Sequence, residues 1–198
     1  MQIIYIHGGT THSTQKKYLD YLKNKTVYLD ELEIWPSKLE QQLPQHKVIK
    51  PRMPLKENAH YEHWKIIFEK YLEITQKEII LIGFSLGAIF LARYLSENKT
   101  NKDIKGVFLV APPFDDSNSN EELTNGFKLP KKLELLDKIN NLNFFFSKTD
   151  QIVKIIHKEK YEKKLKNAKF HVFEDKNGHF LTPNFKELIK LIKSLFNK

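Results

Sequence analysis

Residues 79–94 read IILIGFSLGAIFLARY, and the order of residue types in this stretch decides the fold. A β-branched apolar run, Ile79 to Ile82, leads into Gly83-Phe84-Ser85-Leu86-Gly87, and a nearly all-apolar run, Leu86 to Leu95, leads out. Strand, tight turn and helix in that order are the context in which G-x-S-x-G forms a nucleophile elbow. The glycines answer a steric demand: a serine held in a strained φ/ψ region at the tip of the turn leaves no room for Cβ atoms on the residues packed against it. Both apolar runs are expected to be buried on more than one side, which puts the elbow at the centre of the molecule.

Outward from the elbow, short apolar runs alternate with helical patterns. Upstream, Gln2 to Ile6 reads as a strand ending in the glycine-bearing turn His7-Gly8-Gly9-Thr10-Thr11-His12, where backbone can approach a ligand closely. A short helix over Ser13 to Leu22, a helix-like piece over Trp35 to Leu43, a strand over Lys47 to Lys50 and the prolyl connection Pro51-Arg52-Met53-Pro54 follow. From Asn58 to Thr75, Tyr61, Trp64, Ile67, Phe68, Tyr71 and Leu72 recur at intervals of three and four, which is one apolar face of a helix.

Downstream, strands are expected at Lys105 to Val110, Asn143 to Phe146 and Lys169 to Phe173, with helices at Lys132 to Ile139, Ile152 to Leu165 and Phe185 to Phe196. Phe114 to Pro130 has no sustained period and many turn formers, so it reads as a long loop, a kind of segment that often carries function. The alternation predicts one α/β domain over residues 1–198. It is a three-layer α/β/α sandwich with a mostly parallel central sheet and its functional residues at the carboxyl ends of the strands.

Composition excludes several classes. At 198 residues, one core suffices, and the mix of 40% hydrophobic with 29% charged residues is that of a globular protein, not a disordered chain. With no cysteine, disulfides, thiolate catalysis and cysteine-based zinc sites are ruled out. The net charge of +9 comes from lysines scattered among glutamates, as in His157-Lys158-Glu159-Lys160, and no nucleic-acid motif accompanies it, so no nucleic-acid partner is expected. The first residues run straight into an apolar strand and no segment reaches the roughly 20 apolar residues of a membrane span, so the expectation is a cytoplasmic protein without a span.

A serine hydroxyl needs a base to take its proton, and the base needs an acid to hold its tautomer. In this class of fold the order along the chain is nucleophile, acid, base. Ser85, Asp150 and His179 fit that order, each following a strand and each lying in a turn. Asp115, Asp116 and Asp175 compete as acids, and His157 and His171 as bases. Oxyanion stabilisation asks for two backbone N–H donors, one on the residue after the nucleophile, Leu86, and one from the loop after the first strand, Gly9 with Thr10 as fallback. His7 is expected to order that loop, and Thr11 and His12 to line the entrance.

His7-Gly8-Gly9, the elbow, the Asp150 turn and Gly178-His179, in this order and chain length, resemble the α/β-hydrolase superfamily, and within it the small capless serine hydrolases of the retinoblastoma-binding-protein type. The resemblance implies an esterase or related acyl hydrolase without metal or cofactor, acting on a small-molecule acyl substrate. It does not imply an oligomeric state, or whether residues 27–45 or 114–130 form a lid. The acyl pocket is expected from Thr10 to Ser13, Pro112 to Asp116, the 117–130 loop and Phe180, whose phenylalanines favour an apolar acyl group. A binding or scaffolding protein on the same fold, with a catalytically weak or inactive elbow, is the alternative.

Overall fold

The computed structural model describes residues 1–30, 32–117 and 121–196. Positions 118–120 of the expected pocket loop and residue 31 of the first possible lid lie outside the described residues. The apolar runs become six strands, β1 (Gln2–Ile6), β2 (Lys47–Ile49), β3 (Glu78–Phe84), β4 (Asp103–Val110), β5 (Leu142–Ser147) and β6 (Lys169–Phe173). They pair in the order β2-β1-β3-β4-β5-β6, every pair parallel. Between them lie α1 (Gln15–Asn24), α2 (Leu39–Gln42), α3 (Tyr61–Ile74), α4 (Leu86–Glu97), α5 (Glu134–Asp137) and α6 (Ile156–Glu162), and α7 (Lys186–Ser194) follows β6.

The chain runs outward from β1 to β2, returns to β3 on the other side of β1, and continues outward to β6. Right-handed crossovers in the two directions put helices on both faces of the sheet, and the loops after β1 and β3 diverge at the point where the direction reverses. A crevice opens there, at the carboxyl ends of two adjacent strands whose register pairs Ile6 with Gly83.

The centre of the core is the stretch that decided the reading. Ile79 to Ile82 are fully buried, and α4 buries ten residues, including Phe90, Leu91 and Tyr94. The apolar face read on α3 packs onto it through edge-to-face ring pairs, Trp64 on Phe90 at 5.7 Å, Phe68 on Phe90 at 5.4 Å and Phe68 on Tyr94 at 5.0 Å between centroids. Each such pair contributes about 0.5–1.5 kcal/mol beyond its buried area. On α7, Leu188, Ile189 and Ile192 are buried, as the stripe predicted.

Expected boundaries shift: the helix read over Lys132 to Ile139 is confined to Glu134–Asp137. The helical pattern over Ile152 to Leu165 yields helix only at Ile156–Glu162, because the Asp150 carboxylate accepts hydrogen bonds from the Ile152 and Val153 N–H groups and holds the chain in a turn. The described residues of the 27–45 stretch, which the sequence left open as a lid, divide in two: Val27, Tyr28 and Leu29 are exposed, whereas Trp35 is fully buried against Tyr5, Phe84 and Phe185, and its backbone N–H donates to the Thr182 carbonyl.

Candidate active site

The elbow is built by contacts that exclude side chains. Ser85 has φ 52° and ψ −117°, in a region that residues with a Cβ rarely occupy. A Cβ on Gly87 would lie 2.3 Å from the Ile6 carbonyl oxygen, and one on Gly83 would lie 2.6 Å from the Ala88 Cα. The glycines therefore let α4 start directly over the end of β1. The Ser85 N–H donates to the Val110 carbonyl at 2.8 Å, which ties the turn to β4. Although Ser85 occupies the position preceding α4, its hydroxyl makes no capping bond. Leu86 is the first residue of α4, where an N–H has no acceptor within the helix.

The structure brings Asp150 and His179 together from the ends of β5 and β6. His179 Nδ1 and Asp150 Oδ2 are 2.7 Å apart, with the carboxylate almost wholly buried. The other carboxylate oxygen, Oδ1, accepts from the Ile152 and Val153 N–H groups, both at 2.9 Å. The His179 ring lies over Phe84, 5.1 Å between centroids, beside the elbow. Ser85 and His179 line the same cavity, and no hydrogen bond joins their side chains among the described residues.

The His179 turn is strained and stitched. Asn177, Gly178 and Phe180 all have positive φ, between 53° and 64°. Asp175 accepts from the Thr149 hydroxyl at 2.6 Å and from the Gly178 N–H at 3.3 Å, which joins the turn carrying His179 to the turn carrying Asp150. The Thr149 bond, ahead of the backbone donors, holds the Asp175 carboxyl below the usual aspartate range.

The competing acids and bases are all engaged elsewhere. Asp115 pairs with Lys160 at 2.7 Å, Asp116 lies 3.7 Å from Lys128, and Asp175 faces Thr149. His157 is buried and accepts from the Phe114 N–H, and His171 bonds Asn143 and stacks on Phe145. Burial lowers the pKa of both histidines.

His7 orders the loop after β1, as its position suggested. Its Nδ1 donates to the Gly8 carbonyl at 2.6 Å and its Nε2 accepts from the Met53 N–H at 3.0 Å, an arrangement that requires the neutral ring. Burial lowers its pKa accordingly. Trp64 packs edge-on to His7 and donates to the Pro54 carbonyl, so the prolyl connection and α3 brace the same loop. The Thr10 N–H, the fallback oxyanion donor, donates to the Lys56 carbonyl at 2.8 Å. A Cβ on Gly9 would lie 2.4 Å from that same oxygen, so the loop lies flat under residue 56.

The cavity over Ser85 has a volume of about 430 Å3. Thr10 lines it as expected, and Thr11 and His12 line an adjoining opening. Tyr21, Lys25, Lys56 and Leu181 also line it, and no local signal in the sequence pointed to them. Glu121 stands in the same cavity, and desolvation raises its pKa, opposed by His179. The phenylalanines expected in the pocket are elsewhere. Phe180 is fully buried against Phe173 and Phe185, and Phe114 packs on Tyr161. The positive φ at Phe180 goes with a ring turned inward, so neither Phe114 nor Phe180 lines the described cavity, whose apolar wall comes from Phe84, Ile152 and Leu181. Among the described residues, no three His, Asp or Glu side chains stand together as a metal site, and no helix is long and apolar enough to cross a membrane.

An all-parallel sheet with a strained serine after β3 and an aspartate–histidine pair after β5 and β6 has the architecture of the α/β-hydrolase fold. The ydeN gene product of B. subtilis superposes with a TM-score of 0.74 at 17% identity, over 100% of this chain and 99% of that one. The methylesterase protein MES16 from Arabidopsis superposes with a TM-score of 0.64 at 11% identity, over 100% and 99%. These likenesses concern the fold alone. The family is given by the sequence: the chain belongs to the serine hydrolase family, whose model matches residues 30–187. It is also similar to the serine hydrolase RBBP9 of Rattus norvegicus, 29% identical over 163 residues, which cover 81% of this chain and 84% of the rat protein.

Proposed function

We propose that the protein is a carboxylesterase-like serine hydrolase that cleaves an ester or thioester through an acyl-enzyme on Ser85. The observation that carries this reading is the 2.7 Å pairing of His179 Nδ1 with buried Asp150 in the same cavity as the strained Ser85. Membership of the serine hydrolase family supports it.

In this reading the Asp150 carboxylate accepts the Nδ1 proton, which leaves Nε2 unprotonated and able to take the Ser85 proton as Oγ attacks the carbonyl carbon. In apo enzymes the hydrogen bond between nucleophile and base is often long or poorly aligned and tightens in the complex with substrate. The negative charge that develops on the carbonyl oxygen is stabilised by the Leu86 N–H at the start of α4 and by the Gly9 N–H. Gly9 is preferred over Thr10 because the Thr10 N–H is already bonded to Lys56. The tetrahedral intermediate expels the alcohol or thiol, which leaves with the proton held on Nε2. Water, deprotonated by the same nitrogen, then frees the acid and restores Ser85.

Labelling with a fluorophosphonate probe tests this directly. The wild-type chain is expected to label on one serine and Ser85→Ala not at all. Equal labelling of both, or none of the wild type, refutes the reading. If Ser85→Ala does not label but wild-type turnover of every ester tried is nil, the scaffolding alternative gains.

A further inference from the structure

A chain of hydrogen bonds leaves the turn that carries His179 and returns to it through the end of β5. The Lys176 N–H donates to Ser147 Oγ at 3.1 Å, and Ser147 Oγ lies 3.1 Å from Thr149 Oγ1. The Thr149 hydroxyl donates to Asp175 Oδ1 at 2.6 Å, and the same oxygen accepts from the Gly178 N–H at 3.3 Å. Resting on the triad reading above, we propose that Ser147, Thr149 and Asp175 are positioning residues for the base. They fix the His179 turn against the Asp150 turn and thereby hold the imidazole on its carboxylate.

The direction of the chain is set by its protons, since each hydroxyl has only one to give. Thr149 gives its proton to Asp175, whose carboxyl is held below the usual aspartate range and is therefore ionised at neutral pH. The contact between the two hydroxyls must then use the proton of Ser147, which keeps a lone pair for the Lys176 N–H. Every link points toward the carboxylate, so the last is charge-assisted and each polarises the next. Thr149 and Asp175 lie at the surface, but Ser147 is fully buried, so water does not compete for its part of the chain.

The His179 turn needs such an anchor. Asn177 and Phe180 hold left-handed backbone conformations that persist only where the surroundings over-determine them. After His179 the anchor is the Phe180 ring, fully buried beside Phe173 and Phe185. Before it, the hydrogen-bond chain reaches across to the Asp150 turn. The bonds between Asn177 and Leu181 close the His179 turn only upon itself, and the Lys148–Glu174 ion pair lies in solvent, where such pairs contribute little. Thr149 adjoins Asp150 in the chain and Gly178 adjoins His179. A shift at either end therefore passes to the 2.7 Å pair with no residue between.

The test compares Thr149→Val, which deletes the hydroxyl and keeps the shape, with Thr149→Ser, which keeps the hydroxyl. One readout is the rate at which a fluorophosphonate labels Ser85. The other is the proton resonance of His179 Nδ1–H, assigned by its absence from His179→Gln. Since a misplacement of about 1 Å costs on the order of 100-fold, Thr149→Val is expected to label roughly 10–100-fold more slowly, and Thr149→Ser within about threefold of wild type. Thr149→Val is also expected to lose the resonance to exchange with solvent. Asp175→Ala should behave as Thr149→Val does, and the double variant should be no slower than the slower single one, because both break the same chain. Should Thr149→Val fail to fold, Asp175→Ala against Asp175→Asn, which keeps an oxygen acceptor, gives the same comparison. Thr149→Val and Asp175→Ala that label as fast as wild type and keep the resonance overturn the inference and leave the hydrolase reading standing. A wild-type chain that does not label, but loses the resonance in both variants, removes the hydrolase reading and keeps the positioning role. One that shows neither label nor resonance removes both.

Discussion

The two oxygens of Asp150 hold different parts of the molecule, and two substitutions separate them. Oδ2 faces His179 Nδ1, whereas Oδ1 accepts from the Ile152 and Val153 N–H groups in a turn where Asp150 and Val153 are buried, Ile152 is half-buried and Gln151 is exposed. Asp150→Asn can keep the Oδ1 acceptor and present its amide to Nδ1. That amide donates, so the imidazole proton moves to Nε2, where it blocks uptake of the Ser85 proton. Turnover is expected to fall about 10^4-fold, with stability within about 1 kcal/mol of wild type. Asp150→Ala removes both acceptors, which costs about 1–3 kcal/mol at the buried Val153 N–H and less at the half-buried Ile152 N–H, so about 2–5 kcal/mol in all. Against a typical total of about 5–15 kcal/mol that is a large loss, and a melting temperature lower by roughly 5–20 °C is expected. Urea unfolding and p-nitrophenyl acetate turnover, measured on both variants, decide it. Asp150→Asn with kcat within tenfold of wild type, or Asp150→Ala as stable as wild type, refutes the division of labour.

Ser85→Gly should raise stability by about 1 kcal/mol while abolishing turnover, because glycine tolerates φ 52° that serine occupies under strain. A lower melting temperature than that of Ser85→Ala argues against strain at the elbow. Gly87→Ala should fold poorly or not at all, since its Cβ would fall 2.3 Å from the Ile6 carbonyl, and a well-folded, active variant contradicts that packing. Stability should fall with acidification below about pH 6.5. His7, His157 and His171 all have folded pKa values lowered first by burial, so their contribution is complete above the unfolded value and is lost as the pH drops through the folded values. Thermal melts between pH 7.5 and 5.5 test this, and a flat profile counts against it, as does an unchanged profile in His157→Gln.

Ser85 was legible because its requirements are local. The strand, the glycines and the apolar helix lie within sixteen consecutive residues, and each answers a steric need of its neighbour. The strand alternation likewise predicted the parallel sheet, because burial on both faces writes continuous apolar runs such as Ile79 to Ile82 into the chain. Asp150 and His179 were legible only as strand-end residues in the right order. Their pairing depends on β5 and β6 lying side by side, and several rivals were equal to them until the structure placed Asp115 on Lys160 and His171 on Asn143.

The sequence by itself determined the elbow, the parallel α/β sheet and the short set of residues from which an acid and a base could be drawn, since each follows from spacing within one segment. Only the tertiary structure decided the pocket. Tyr21, Lys25, Lys56 and Leu181 come from three separate parts of the chain, and their convergence over Ser85 depends on how α1, the residue 56 turn and the His179 loop pack. Phe180 shows the difference most plainly. In the sequence it adjoins the base and suggests an apolar pocket wall, but a backbone φ of 54° sends its ring into the core beside Phe185, away from the cavity. Side-chain direction in a turn is set by long-range packing, which no local pattern encodes.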